Sequence, residues 1–201
     1  MRGSYVVARA LAALVSIAGC STESMHPGGG DDDGAPDASV PGGGSDEPAE
    51  LQGITLLHNQ ARAAVVTATP LPSLAWDPQL AQIAATWAAK CVDNEDPVGL
   101  IDHDPDRSNG SGYAYVGENI FGAGGTRATA QMALSNWMDE QADYAYDTNT
   151  CSGICGHYTQ VVWRGTTHLG CALHNCPGLM YGSSIVCDYG PGGNVGNQRP
   201  Y

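Results

Sequence analysis

The spacing of apolar residues predicts three amphipathic helices in the first two thirds of the chain. Residues 51–66 carry an apolar stripe at helical intervals. The Asp77–Pro78 pair is typical of a helix start, because an N-cap acceptor precedes proline at the first helical position, so a second helix is predicted over 79–90. A third helix is predicted over 129–140. Each of these helices needs a partner for its apolar face.

The last third of the chain changes to the two-residue period of β-strands. Three strands are predicted, over residues 157–163, 167–174 and 180–189. Alternation in the second strand places His168 and His174 opposite the apolar side chains, where we expect them to be solvated rather than functional. Three helices followed by three strands are the elements of an α+β domain.

A short apolar run lies near the N-terminus, over residues 10–18, preceded by Arg2 and Arg9. It is far below the roughly 20 residues that a membrane-spanning helix needs, and it predicts an export signal over residues 1–19. The run ends in Ile-Ala-Gly-Cys20, which resembles the lipobox of bacterial lipoproteins. That resemblance implies acylation of Cys20 and, because Ser21 follows it, sorting to the outer membrane. The alternative is an ordinary signal peptide with an incidental cysteine.

Composition separates a tail from a domain. The 201 residues carry a formal net charge of −13, and residues 21–50 hold eight acidic residues and no Lys or Arg. This segment has almost no large apolar side chains to offset the entropy of ordering, so residues 20–50 are predicted to form a disordered tether. Residues 51–201 remain as one domain. The acidic excess argues against nucleic acid as a partner and against electrostatic adsorption to anionic lipid.

Six of the seven cysteines lie in the predicted domain, and an even number in an exported domain implies disulfides. If the last two strands form a hairpin centred near Leu179, Cys171 lies opposite Cys187 at a distance that a disulfide can span. Cys151–Cys155 can close a small ring, and elimination leaves Cys91–Cys176. A zinc site is the alternative, but the spacings do not form two CxxC-type pairs.

Familiar catalytic strings such as GxSxG, HExxH and the P-loop are absent from the sequence. What remains is a set of histidines and glutamates near the ends of predicted elements: His58, His103, Glu118, Glu140 and His157. No activated nucleophile stands beside them. Cys155 is close to His157 in sequence, but its predicted disulfide partner argues against a thiolate nucleophile.

Four ordered segments resemble a known family. They are LHNQAR (57–62), GENIF (117–121), CGHYTQVVW (155–163) and CDYGPGGNVGNQRPY (187–201). Together they are similar to the signatures of the CAP superfamily, which comprises cysteine-rich secretory proteins, insect antigen 5 and plant pathogenesis-related class 1 proteins. The resemblance extends from about residue 55 to residue 201, and all six cysteines fall where the plant proteins have theirs.

The sequence departs from the family pattern at three places. Ser184 stands where an apolar residue is usual, and Asp188 stands where a neutral or basic polar residue is usual. The loop from His103 to Gly117 carries extra glycine and serine residues, which leaves the placement of His103 open.

The resemblance implies an α+β fold, a three-layer α-β-α sandwich with a central antiparallel sheet and a large cleft. It further implies that the cleft holds two histidines and two glutamates, which correspond to His103, Glu118, Glu140 and His157. His58 falls in the first-helix motif on the buried stripe, and we expect it to be structural.

Two imidazoles with carboxylates suit Zn²⁺ or Cu²⁺, and carboxylates bonded to the ring N–H groups would fix the histidine tautomers. Two histidine ligands make a modest site, so any Zn²⁺ affinity should be weak and should fall as the imidazoles protonate near pH 6. The same four groups could instead perform acid–base chemistry without metal, or form a polar network that holds loops to the sheet.

The sequence therefore predicts a membrane-tethered, extracytoplasmic CAP-domain protein that binds an unidentified ligand or surface and carries a weak divalent-metal site. The membrane is the second expected partner, through the lipid anchor on Cys20. Two alternatives stay open: a metal-dependent hydrolase directed at peptides or the cell wall, and a purely structural surface protein.

Overall fold

Four α-helices and six β-strands are present in residues 46–201, the part of the chain that the computed structural model describes. Residues 1–45 lie outside the described residues. They include the predicted signal peptide, Cys20 and the predicted tether up to residue 45. The elements are α1 (Ile54–Ala63), β1 (Ala75–Trp76), α2 (Pro78–Ala88), β2 (Gly117–Ala123), α3 (Ala130–Asp139), β3 (Tyr144–Ala145), β4 (Thr150–Cys151), α4 (Gly156–Val161), β5 (His168–Asn175) and β6 (Ser183–Gly190).

A four-stranded sheet with strand order β1-β5-β6-β2 forms the middle layer. Strand β6 pairs antiparallel with both β5 and β2, whereas the two-residue β1 adds a parallel edge to β5. Cys171 lies directly opposite Cys187 in the β5–β6 hairpin, which is the register that a centre near Leu179 predicts. Strands β3 and β4 form a separate two-stranded ribbon.

Helices cover both faces of the sheet, so the fold is the α-β-α sandwich that the sequence predicts. Helix α2 packs on one face, where Ala84 and Ala88 meet Val186 of β6 in one apolar cluster. Helices α1, α3 and α4 cover the other face, where the larger cluster includes Trp137 and the alternate β6 residue Ile185. The two-residue period of β6 thus supplies both cores.

The predicted helix boundaries hold within a few residues because their start signals act locally. The Asp77 side chain accepts the backbone N–H groups of Gln79 and Leu80 and so caps α2. Thr129 caps α3 in the same way, by accepting the N–H of Met132. None of the helices within residues 46–201 combines the length and apolarity that crossing a bilayer requires.

The prediction of a strand over 157–163 is wrong, because this segment contains helix α4. Its β-branched residues favour a strand locally, but contacts from distant residues satisfy the groups that a short helix leaves open. The Glu140 carboxylate accepts the backbone N–H groups of His157 and Tyr158 in the first turn. At the other end, Arg62 donates to the carbonyl of Val161.

Three disulfides cross-link the domain. They connect Cys91 with Cys176, Cys151 with Cys155 and Cys171 with Cys187, the same three pairs that the sequence predicts. The first ties the segment after α2 to the end of β5, and the third lies buried within the β5–β6 hairpin. Cys155 is therefore not a free thiolate.

Ordered contacts begin before Leu51, where the tether was predicted to end. Glu47 is buried, and its two carboxylate oxygens accept the N–H groups of Gly53 at 2.6 Å and Thr55 at 2.9 Å. These N–H groups lie at the start of α1, where a helix has unpaired donors and attracts negative charge. The folded domain therefore includes Glu47.

Candidate functional site

A cleft with a volume of about 350 Å³ lies where the start of β2, the start of α4 and the loop between α2 and β2 come together. Its lining residues are His103, Arg107, Tyr115, Gly117, Glu118, Asn119, Gly156, His157, Gln160 and Asn194. Three of the four predicted site residues line it, and the fourth, Glu140, stands next to His157.

His103 and Glu118 form the first of two carboxylate–imidazole pairs. The distance from His103 Nδ1 to Glu118 Oε1 is 2.5 Å, and the same oxygen accepts the N–H of Asp104 at 3.0 Å. A carboxylate accepts hydrogen bonds, so Nδ1 carries the proton and Nε2 of the neutral ring keeps its lone pair. The Glu118 side chain is fully buried and that of His103 is 56% exposed, so the imidazole is the accessible member.

His157 and Glu140 form the second pair with the same geometry. His157 Nδ1 donates to Glu140 Oε1 at 2.5 Å, while Oε2 accepts the backbone N–H groups of His157 and Tyr158. Burial alone would raise the pKa of Glu140, but these hydrogen bonds outweigh it and hold the pKa below its ordinary value. The His157 ring also stacks on Trp137 at an interplanar angle of 15°, which fixes its orientation.

The structure thus arranges the four predicted residues as two separate pairs and not as four equivalent ligands. Within residues 46–201 neither His103 Nε2 nor His157 Nε2 has a hydrogen-bond partner. An imidazole whose Nδ1–H is held by a carboxylate and whose Nε2 is free is the usual form of a metal-ligating histidine. The two rings therefore have the donor chemistry of metal-ligating histidines, with Glu118 and Glu140 orienting them.

His58 belongs to the core, as the sequence predicts. Its Nδ1 donates to the carbonyl of Ile54 and its Nε2 accepts the hydroxyl of Tyr189, both at 2.8 Å. Complete burial lowers the pKa of His58 to about 4, so the ring is neutral in the folded domain.

Asn119 connects this core network with the cleft. Its amide donates to the Tyr189 hydroxyl and to the backbone carbonyl of His157. Glu118 and Asn119 are neighbours on β2, so their side chains lie on opposite faces of the sheet. Glu118 contacts His103, and Asn119 contacts the backbone of His157. Sequence reasoning did not select Asn119, although it lies within the GENIF segment.

Arg107 and Tyr115 are further cleft residues that sequence reasoning did not select. Arg107 is the one basic residue between His103 and Glu118, so the sequence does contain a signal for it. What the sequence lacks is the information that this loop folds back over the start of β2.

A second group of possible ligands lies away from the cleft. Cys91, His174 and Cys176 place three ligand atoms within 4.8 Å of one another, and no other such group of three or more occurs among the described residues 46–201. The two sulfur atoms are joined in a disulfide, so neither is available as a thiolate. His174 alone does not make a metal site. Like His168, it is half-buried and not fully solvated.

Residues 56–189 match the cysteine-rich secretory protein family, CAP. The chain is 36% identical to GLIPR1-like protein 1 of Mus musculus over 158 residues, which cover 77% of this chain and 65% of the relative. It is 40% identical to pathogenesis-related protein 1 of Arabidopsis thaliana over 144 residues, which cover 72% of this chain and 78% of the relative. The chain thus spans less than two thirds of the length of the mammalian relative.

Solved structures give the same result. Schistosoma mansoni venom allergen-like protein 4 superposes with a TM-score of 0.57 at 28% identity, covering 77% of this chain and 94% of that one. The structure of NaASP2 with Zn²⁺ superposes with a TM-score of 0.57 at 25% identity, covering 79% of this chain and 88% of that one.

Proposed function

The chain belongs to the cysteine-rich secretory protein (CAP) family, and we propose that its cleft binds a divalent metal ion, best fitted by Zn²⁺, through His103 and His157. The observation that carries this proposal is the pair of 2.5 Å bonds from the two Nδ1 atoms to Glu118 and Glu140. In each ring Nδ1 is bonded to the carboxylate, so the other ring nitrogen, Nε2, is left free to bind a metal. The Zn²⁺ in the related NaASP2 structure supports the choice of metal.

Two imidazoles fill only half of the tetrahedral set that Zn²⁺ prefers, so this site is weak by itself. The remaining positions would be taken by water or by oxygen atoms of a bound ligand. We therefore propose that the domain is a binding module in which the metal forms part of the ligand site.

Hydrolysis is the second candidate, and the geometry favours it less. A metal-dependent hydrolase needs a general base that faces the metal-bound water. Glu118 and Glu140 are both engaged behind imidazoles, and the Oε2 atom of Glu118 is buried. Turnover of casein, peptidoglycan or esters that requires Zn²⁺ and disappears in His157→Ala would establish the enzyme instead.

We expect the oxidised chain to bind Zn²⁺ at pH 7.5 and to bind it more than about tenfold more weakly at pH 5.5, because protons compete for both Nε2 atoms. Isothermal titration calorimetry measures both affinities. His103→Ala/His157→Ala should abolish binding. Glu118→Gln and Glu140→Gln should each weaken binding by about 10–100-fold, because the amide no longer orients the ring as a carboxylate does.

The matched control is His168→Ala/His174→Ala, which removes two half-buried histidines outside the cleft and should leave the affinity unchanged. Circular dichroism checks that every variant is folded. Absence of heat and of thermal stabilisation in folded wild type, or equal binding by the cleft double variant, would refute the metal site.

We also propose that the domain acts outside the cytosol, attached to a membrane through Cys20. Three disulfides and membership of a secretory family support export. The lipobox-like segment before Cys20 supports acylation. We expect Cys20→Ser to move the protein from the membrane fraction to the soluble exported fraction. A wild-type chain whose N-terminal peptide carries no acyl group in mass spectrometry would contradict this expectation.

A further inference from the structure

We propose that the cleft is a carboxylate site, in which Arg107 binds the anionic oxygen atoms of a small organic acid or an acidic peptide beside His103 and His157. The metal-assisted form of this binding rests on the proposed function. The contact with Arg107 does not, because the guanidinium is charged with or without a metal.

The backbone holds the Arg107 side chain in place at the cleft. Its Nε donates to the carbonyl of Val116 at 2.8 Å, and Nη1 donates to the carbonyl of Asp104 at 2.5 Å. The Tyr115 ring lies 5.9 Å from the guanidinium carbon. Nη2 has no hydrogen-bond partner within residues 46–201. Because two contacts already fix the guanidinium, binding through Nη2 requires little further ordering.

Arg107 is the one permanently charged cation among the described residues that line the cleft, in an otherwise acidic protein. The whole chain carries a net charge of −13, but the cleft is lined by one guanidinium, two imidazoles and a single carboxylate, Glu118. Its Oε1 accepts His103 and the N–H of Asp104, while its Oε2 is buried. Among the described lining residues no carboxylate oxygen forms a hydrogen bond with Arg107.

The geometry of the donors favours a carboxylate over other anions. Nη2 can donate a charge-assisted bond to a carboxylate oxygen, and such bonds are roughly twice as strong as neutral ones. When a metal is bound at the imidazoles, one carboxylate oxygen can ligate it while the other accepts from Arg107. The volume of about 350 Å³ lies at the lower end of ligand pockets, which suits a small acid or a single acidic side chain or terminus.

The test is an NMR titration of the metal-free, oxidised ¹⁵N-labelled chain at pH 7.5 with acetate, its neutral isostere acetamide, and inorganic phosphate. We expect saturable shifts at cleft residues with acetate and none with acetamide. Arg107→Gln should weaken acetate binding by about tenfold or more, the effect of losing one charge-assisted contact. Arg127→Gln, which removes an exposed arginine outside the cleft, should change nothing.

Three results would overturn the inference: equal shifts with acetate and acetamide, unchanged acetate affinity in Arg107→Gln, or tighter binding of phosphate than of acetate. If Arg107→Gln does not fold, Arg107→Lys keeps the charge without the planar fork and should still lose several-fold in affinity. Repeating the titration with Zn²⁺ separates the two proposals. A chain that fails to bind Zn²⁺ refutes the metal site, whereas the metal-free titration alone decides the carboxylate site.

Discussion

Arg62→Met is expected to lower the free energy of unfolding by about 3–5 kcal/mol, because it leaves several buried carbonyls without a donor. The Arg62 residue is only 1% exposed. Its guanidinium donates to four backbone carbonyls, those of Pro72, Val161, Trp163 and Thr166. Burial lowers the pKa of the guanidinium to about 10, which still leaves it charged at neutral pH.

The experiment is chemical denaturation at pH 7 of the oxidised wild type and of Arg62→Met, Arg62→Lys and Arg164→Met. Lysine keeps the charge but cannot reach four carbonyls from one ammonium group, so most of the loss should remain. Arg164 also binds backbone carbonyls, those of Thr69 and Pro70, but near the surface, and its replacement should cost less than about 1 kcal/mol. Similar losses for Arg62→Met and Arg164→Met would contradict the argument.

Arg62 also shows why the proposed metal site would depend on distant parts of the chain. Its bonds to Val161 and Trp163 hold the end of α4, and Glu140 holds its beginning, where His157 lies. The residues that Arg62 contacts are 99 and 101 positions away in the sequence, and Glu140 is 17 positions from His157. A variant that loosens α4 should therefore weaken Zn²⁺ binding without touching the imidazoles.

Much of the fold follows from signals that act over a few residues. The Asp77 cap fixes the start of α2, and the turn before Leu179 fixes the register that brings Cys171 opposite Cys187. Helix α4 could not be predicted in this way, since its local sequence favours a strand and its helical form depends on contacts with Arg62 and Glu140.

The site was predictable as a set of residues but not as a geometry. The family motifs give His103, Glu118, Glu140 and His157, whereas only the structure shows that both carboxylates contact Nδ1. Arg107 lies in the site because its loop is held by two hydrogen bonds to backbone carbonyls. The spacing of apolar residues in the sequence contains no information about such bonds.

Asp188 is a buried acidic residue at a position where the family usually has a neutral or basic polar one. It lies directly opposite Glu118 in the β2–β6 pairing, on the face that α2 covers. Treated as carboxylates, both of its oxygens and Oε2 of Glu118 are buried with no hydrogen-bond donor in reach. Burial is the largest cause that raises the pKa of Asp188 well above its ordinary value, followed by the negative charge of Glu118. A side-chain hydrogen bond between the protonated Asp188 and Glu118 raises it further. The carboxyl group is therefore uncharged in the folded domain at neutral pH.

This raised pKa makes the stability depend on pH in a defined direction. Below the ordinary pKa of an aspartate, 3.8, Asp188 is protonated in both the folded and the unfolded chain and costs nothing. Above it the unfolded chain releases the proton while the folded chain retains it. The contribution of Asp188 to stability therefore falls as the pH rises from about 4 towards the raised pKa of the folded state.

Asp188→Asn should accordingly increase the free energy of unfolding by about 1–3 kcal/mol at pH 7.5 and change it little at pH 4. Asparagine has the shape of the protonated acid, never ionises, and can donate its amide N–H to Glu118 as the protonated acid does. Urea denaturation at several pH values measures the difference, with Asp147→Asn, an exposed aspartate, as the control that should be neutral throughout. A gain that is equal at pH 4 and pH 7.5 would show that packing, not ionisation, separates the two side chains. A loss at pH 7.5 would show that Asp188 is charged and paired in the folded protein.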